Sequence, residues 1–180
     1  MTIRPARHDD LEALRAIELA AGAPFRDLGM AAIADAAAPP VAELAVFQRD
    51  GRAWVVTSAA GSPVGYLLVD IVDGNAHIEQ VSVDPSHGRQ GLGRKLLDAA
   101  DEWAQERGLT ALTLSTFAEV PWNGPYYERL GFRVVPESEV TPGLAAIRAA
   151  EAAQGLAAWP RVTMRRDVAS RGLGARWPTE

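Results

Sequence analysis

One stretch constrains this chain more than any other: Val81–Leu97, VSVDPSHGRQGLGRKLL. Val81, Ser82 and Val83 suit a buried strand, and Asp84-Pro85 stops it because proline donates no hydrogen bond to a sheet ladder. From Leu92 the apolar residues Leu92, Leu96, Leu97, Ala100, Trp103 and Ala104 recur at helical spacing. Between strand and helix lies Gly88-Arg89-Gln90-Gly91-Leu92-Gly93-Arg94. Glycine lets the backbone approach a ligand, and the first N–H groups of a helix have no partner within it. Such a start, at the positive end of the helix dipole, attracts phosphate. Arg89 and Arg94 add cationic charge at the same place. The stretch is expected to be an anion cradle for a phosphorylated cofactor.

The glycine order narrows which one. A dinucleotide fold uses G-x-G-x-x-G, and a P-loop uses G-x-x-x-x-G-K-[ST]. This loop runs G-x-x-G-x-G, and Gly93 is followed by Arg94, Lys95 and Leu96, so the magnesium-binding hydroxyl is missing. A nucleotide-binding protein is therefore a poor match.

The chain has 180 residues, enough for one domain with a real core and too few for two ordinary ones. No run approaches the ~20 apolar residues that span a bilayer, and MTIRPARHDD has no apolar segment of signal-peptide type. The absence of cysteine excludes disulfides, thiolate metal sites and a cysteine nucleophile. His8, His77 and His87 form no metal-ligand spacing, so no metal is expected. A net charge of −5 argues against nonspecific nucleic-acid binding, which needs a basic surface. These features fit a cytoplasmic protein of bacterial type, with no nucleic-acid or membrane partner, as monomer or homodimer.

In chain order, Thr2–Arg4 reads as a strand and Leu11–Ala21 as a helix patterned on Leu11, Leu14, Ile17 and Leu19. A weaker helix is expected over Leu28–Ala36, and Val41–Phe47 is open between helix and strand. Ala53–Thr57, Pro63–Val72 and Asn75–Val83 are strands, the last two joined by the hairpin signal Asp73-Gly74-Asn75. The helix Leu92–Arg107 stops at Gly108, and Ala111–Thr116 returns as a strand. That β-α-β crossover makes it parallel to Asn75–Val83. Asn123 is placed to cap a short helix with Pro125 in its first turn. Phe132–Val135 and Arg161–Val168 are further strands, with a helix over Pro142–Gly155 between them. One domain is expected over residues 1–168, followed by a loosely held tail, 169–180.

Two blocks resemble the GCN5-related N-acetyltransferases (GNAT family). Gly91 and Gly93 match the last two fixed positions of [RQ]-x-x-G-x-[GA], with Gly88 in place of the first, and Tyr127–Phe132, YERLGF, matches Y-x-x-x-G-F. The resemblance implies an α/β (α+β) fold, a mixed, mainly antiparallel twisted sheet flanked by helices with one central parallel pair. It also implies direct transfer of acetyl from acetyl-CoA, as co-substrate, to a primary amine of a small molecule or peptide. By resemblance, the main chain of Val81, Ser82 and Val83 holds the pantetheine arm, and the loop Arg89, Gln90, Gly91, Leu92, Gly93 and Arg94 holds the pyrophosphate. Tyr127 is implied as the acid toward the leaving thiolate. Strand alternation puts Glu79 on one face with Val81 and Val83, where burial would raise its pKa toward that of a useful base. His77, or water alone, is the other choice of base. Asn123 either contacts the cofactor or only caps its helix. Trp122, Phe25, Arg26 and Asp27 are candidates for the acceptor pocket. A noncatalytic acyl-CoA sensor is the alternative to an enzyme.

Overall fold

A computed structural model describes residues 1–168, so the expected tail lies outside the described residues. Seven strands form one sheet in the order β1-β2-β3-β4-β5-β7-β6. They are β1 (Thr2–Pro5), β2 (Ala53–Thr57), β3 (Pro63–Val72), β4 (Asn75–Val83), β5 (Ala111–Phe117), β6 (Arg133–Val134) and β7 (Arg161–Asp167). The helices are α1 (Leu11–Gly22), α2 (Ala31–Ala34), α3 (Val41–Arg49), α4 (Leu92–Glu106), α5 (Gly124–Arg129) and α6 (Pro142–Ala153). The pairs β1–β2, β2–β3, β5–β7 and β6–β7 are antiparallel, whereas β4 and β5 run parallel at Ala76↔Leu112 and His77↔Thr113. The parallel pair follows from the α4 crossover, which returns the chain in the direction it left. Contacts divide the described residues into two units, one of residues 1–70 and 78–99, the other of residues 71–77 and 100–168.

In the first unit, Leu11, Leu14 and Ile17 of α1 and Leu44 and Ala45 of α3 share one buried cluster with Ala53, Val55, Tyr66 and Leu68 of the strands. Leu44 and Ala45 settle Val41–Arg49 as a helix, since adjacent residues of a strand would point to opposite faces. Arg4 reaches Asp10 with two guanidinium hydrogen bonds, at 2.7 and 2.9 Å, tying β1 to the entry of α1. These bonds hold the Asp10 carboxyl below the usual carboxylate range. The expected helix over Leu28–Ala36 is not formed as such. A 3-10 turn over Ala23–Leu28 ends where Gly29, at φ 74°, donates to the carbonyl of Arg26, and α2 is only four residues long. The left-handed glycine breaks the run, as a helix-terminating glycine does. Leu19, expected in the apolar pattern, is 51% exposed.

In the second unit, β7 pairs with β5 along its whole length, from Ala111↔Asp167 to Phe117↔Arg161. The hairpin before β4 turns at Asp73 (φ 49°) and Gly74 (φ 76°), the left-handed pair that a two-residue turn needs. Asp73 also accepts from Thr141 Oγ1 and from the Gly143 N–H at 2.8 Å, so it holds the first turn of α6 from outside the helix. Glu151 of α6 takes Arg161 at 2.7 Å and Ser115 at 2.7 Å, fastening that helix to β7 and β5. Strand β6 is shorter than expected: Val135 still donates to the Thr163 carbonyl of β7 at 2.8 Å, and Pro136, with no N–H to give, then ends the run.

Helix α5 begins against the end of β5. A Cβ on Gly124 would lie 2.4 Å from the carbonyl oxygen of Ala118 and 3.2 Å from that of Phe117, both rigid backbone. Gly124→Ala should therefore cost about 3 kcal/mol, the upper part of the range for overpacking. Urea unfolding checks this, and a change below about 0.5 kcal/mol, typical of an unconstrained surface site, would show that α5 is not held so close.

Candidate functional site

After β4, a 3-10 turn over Pro85–His87 is held by Asp84, whose side chain accepts from the Ser86 N–H at 2.8 Å. That bond and the Ser86 hydroxyl keep the Asp84 carboxyl below its ordinary range. The backbone then turns twice into left-handed geometry, at Arg89 (φ 59°) and Gly91 (φ 72°). The first bond of the following helix runs from Lys95 N–H to the Gly91 carbonyl at 3.1 Å. The N–H groups of Leu92, Gly93 and Arg94 therefore belong to the opening turn of α4, where no earlier helical carbonyl is available. Leu92 is buried and pins the turn, while Arg89, Gln90, Gly91 and Arg94 are exposed. A Cβ at Gly91 would meet nothing within 4 Å, so glycine is needed there for backbone angle rather than for room. Open space, aimed donors, the helix dipole and two arginines fit a diphosphate group.

Strand β4 carries the next group within the same unit. Val81 and Val83 are half-buried and Ser82 is buried. Glu79 is exposed, so the burial expected of it is not found. The buried polar chemistry lies on the other face of the strand. The Glu18 carboxylate of α1 accepts from Tyr66 Oη at 2.6 Å, from Ser82 Oγ at 2.7 Å, and from Gln80 Nε2 at 3.1 and 3.2 Å. Burial first, and the Glu18 charge next, push the Tyr66 phenol far above its ordinary range. Glu18 was not anticipated from the sequence. It stands seven residues after Leu11 and four after Leu14, so an acidic residue on the inner face of an amphipathic helix was the available signal.

The second unit holds His77, Trp122, Asn123 and the tyrosines of α5, whereas Phe25 and Arg26 belong to the first. His77 is buried, with Nδ1 at 2.9 Å from Thr113 Oγ1, a hydrogen-bonded sheet histidine. Asn123 makes no side-chain cap, contrary to one expectation. Its Nδ2 donates to Thr116 Oγ1 at 2.8 Å, and its Oδ1 is buried without a hydrogen-bond partner. The Asn123 carbonyl receives the N–H groups of Tyr126 and Tyr127, at 2.9 and 3.0 Å. The two tyrosines of α5 differ in environment. Tyr127 is the buried ring, edge-on to Phe132 at 5.6 Å, and Tyr126 is half-buried. The close seat of Gly124 explains this, because Tyr127 lies three residues on and shares its inward face. Burial raises the Tyr127 phenol above its ordinary range. Of the residues assigned to an acceptor pocket, Trp122 is exposed, Phe25 is buried, and Arg26 is exposed and paired with Asp35.

The model of the acetyltransferase (GNAT) family matches residues 14–132. The chain belongs to this family. It is 30% identical over 105 residues to an uncharacterized N-acetyltransferase of Methanocaldococcus jannaschii, an alignment covering 54% of this chain and 45% of that protein. The chain spans about half the length of the curated relatives it matches. Its fold resembles the crystal structure of the ribosomal-protein-S18-alanine N-acetyltransferase from Escherichia coli, with TM-score 0.65 and 22% identity over 98% of this chain and 99% of that one. It also resembles the PaiA N-acetyltransferase of Thermoplasma acidophilum in complex with coenzyme A, with TM-score 0.66 and 16% identity over 92% and 98% of the two chains. Among the described residues no helix is long and apolar enough to cross a membrane.

The tyrosines offer a check on these environments. The chain has three, and the phenols of Tyr66 and Tyr127 are both raised. A raised folded pKa means that the stabilisation is complete below the unfolded value, about 10, and is lost as pH climbs from there toward the folded value. Absorbance titration near 295 nm should therefore show at least two phenols still protonated at pH ~11, ionising only with unfolding. Reversible titration of all three below that point in folded protein would contradict these environments.

Proposed function

We propose that the chain is an acyl-CoA-dependent N-acetyltransferase that moves acetyl from acetyl-CoA directly to a primary amine. The observation that carries this reading is the diphosphate-fitting turn at the head of α4 in a chain of the acetyltransferase family. The neighbour bound to coenzyme A supports the choice of co-substrate.

Transfer from a thioester to an amine makes three demands: a neutral amine, stabilisation of the developing oxyanion, and a hydrogen bond or proton for the departing thiolate. In this reading the N–H groups of the turn from Arg89 to Arg94 bind the pyrophosphate. The backbone of Val81, Ser82 and Val83 pairs with the pantetheine arm and supplies an N–H to the acetyl oxygen. By resemblance to the family, Asn123, whose Oδ1 is buried without a partner, offers an acceptor to a pantetheine amide N–H. Tyr127 serves the thiolate. Its phenol is raised above its ordinary value near 10, itself higher than the ~8.5 of a thiol, so full proton transfer is uphill and the role is donation of a hydrogen bond. Glu79, exposed to solvent, relays a proton from the amine through water in this reading.

The melting temperature should rise with acetyl-CoA and not with ATP, and acceptor-dependent thiol release should follow. Equal shifts with both ligands would favour a nucleotide-binding protein instead. Tyr127→Phe should lower turnover about tenfold to a thousandfold, the range for one positioned donor or acid, with CoA affinity nearly unchanged. Tyr126→Phe should do much less, and equal effects would remove the assignment. Gly91→Pro should weaken CoA binding at least about tenfold while the fold persists, because proline is locked near φ −65° and cannot adopt the +72° seen at this position. Unchanged affinity would place the phosphates elsewhere.

A further inference from the structure

The Glu18 cluster is unusual in how its charge is met. Glu18 Oε2 receives the Tyr66 hydroxyl at 2.6 Å and the Ser82 hydroxyl at 2.7 Å, together with Gln80 Nε2 at 3.2 Å. Oε1 has a single longer contact, 3.1 Å from the same Gln80 nitrogen, which is also shared with Ser82 Oγ at 2.9 Å. Every donor is neutral. Among the described residues, no Arg, Lys or His forms an ion pair with this carboxylate. Arg15 is three residues earlier on the same helix, close enough to be its natural partner. It is engaged elsewhere, with Nε on the Pro39 carbonyl at 3.0 Å and Nη1 on Glu12 at 3.1 Å.

A half-buried carboxylate oriented by three neutral groups, with a single protein donor on one oxygen, has acceptor capacity left for a cation. Its position limits which cation. Ser82, on which it rests, lies between Val81 and Val83, the stretch of β4 given above to the acyl arm. We infer that Glu18 is the anchor for the ammonium group of the acceptor, with Oε1 accepting one of its N–H bonds beside the platform strand. This inference rests on the acyltransferase reading and deepens it. It names the acceptor as a cationic primary amine selected by charge, and it excludes an alcohol or thiol of the same shape. Tyr66, Gln80 and Ser82 are positioning residues that keep the carboxylate in place. A mere clamp between α1 and the sheet would need no charge, since a glutamine could accept the same hydroxyl hydrogens once the Gln80 amide turned over.

That difference supplies the test. CoA-saturated protein is titrated with glycinamide and with glycolamide, which carries a hydroxyl in place of the ammonium. The parent should bind glycinamide at least about tenfold more tightly, the least expected of a charge-assisted hydrogen bond. Glu18→Gln should bring the ratio to about twofold or less while CoA affinity and melting temperature stay near those of the parent. Tyr66→Phe, which keeps the carboxylate but removes one of the bonds that position it, should leave a preference between those of the parent and Glu18→Gln. A second measurement needs no variant: in the parent, glycinamide and not glycolamide should move the NMR signals of the Gln80 side-chain amide and the Glu18 carboxyl carbon. A parent that binds CoA but shows no preference, or a preference that survives Glu18→Gln, overturns this inference alone. A parent that does not bind CoA removes the acyltransferase reading and this inference with it.

Discussion

The left-handed turn at Arg89 and Gly91 is the constraint on which the rest of the first unit's chemistry depends. A strand ending in Asp84-Pro85 has to re-aim the chain into α4 without covering the helix's opening N–H groups. Two residues at positive φ do this, and only one of them is glycine. Arg89 at φ 59° is an uncommon place for a non-glycine residue. Leu92, buried at the first position of α4, holds the turn in that shape from the core side. The same few residues that turn the chain leave donors and cationic side chains directed outward, so the local fold and the phosphate-binding surface are one feature.

Strand β4 links this turn to the second polar feature of the unit. Alternation sends Gln80 and Ser82 to the face that Glu18 and Tyr66 share, and leaves Glu79 exposed. A buried Tyr66 hydroxyl needs a partner, and Glu18 provides it at 2.6 Å. The packing of α1 is thus not purely apolar. Leu11, Leu14 and Ile17 bury area, while Glu18 sets the helix's register against β3 and β4 through directed bonds.

Much of the fold was legible because its signals are local. The strand bounds Ala53–Thr57, Pro63–Val72 and Asn75–Val83 follow from β-branched runs cut by turn residues, and the Asp73-Gly74 hairpin from its need for positive φ. The parts that were not legible depend on packing between distant segments. Val41–Arg49 is a helix because Leu44 and Ala45 have a common cluster to enter, which no window of the sequence reveals. That Tyr127 rather than Tyr126 is buried depends on Gly124 meeting the carbonyls of Phe117 and Ala118, at the distant end of β5. Asn123 has the right identity for a cap, yet Thr116 holds its side chain instead. Glu18 was overlooked because an apolar pattern was sought on α1, and a carboxylate on the inner face breaks that pattern.

The central claim is that the β4–α4 turn holds the diphosphate of an acyl-CoA, and backbone amide NMR tests it most directly. On titration with CoA, the account predicts the largest amide shifts at Arg89 through Arg94, followed by Val81, Ser82 and Val83. Shifts that saturate with CoA but leave Arg89 through Arg94 unmoved would contradict it.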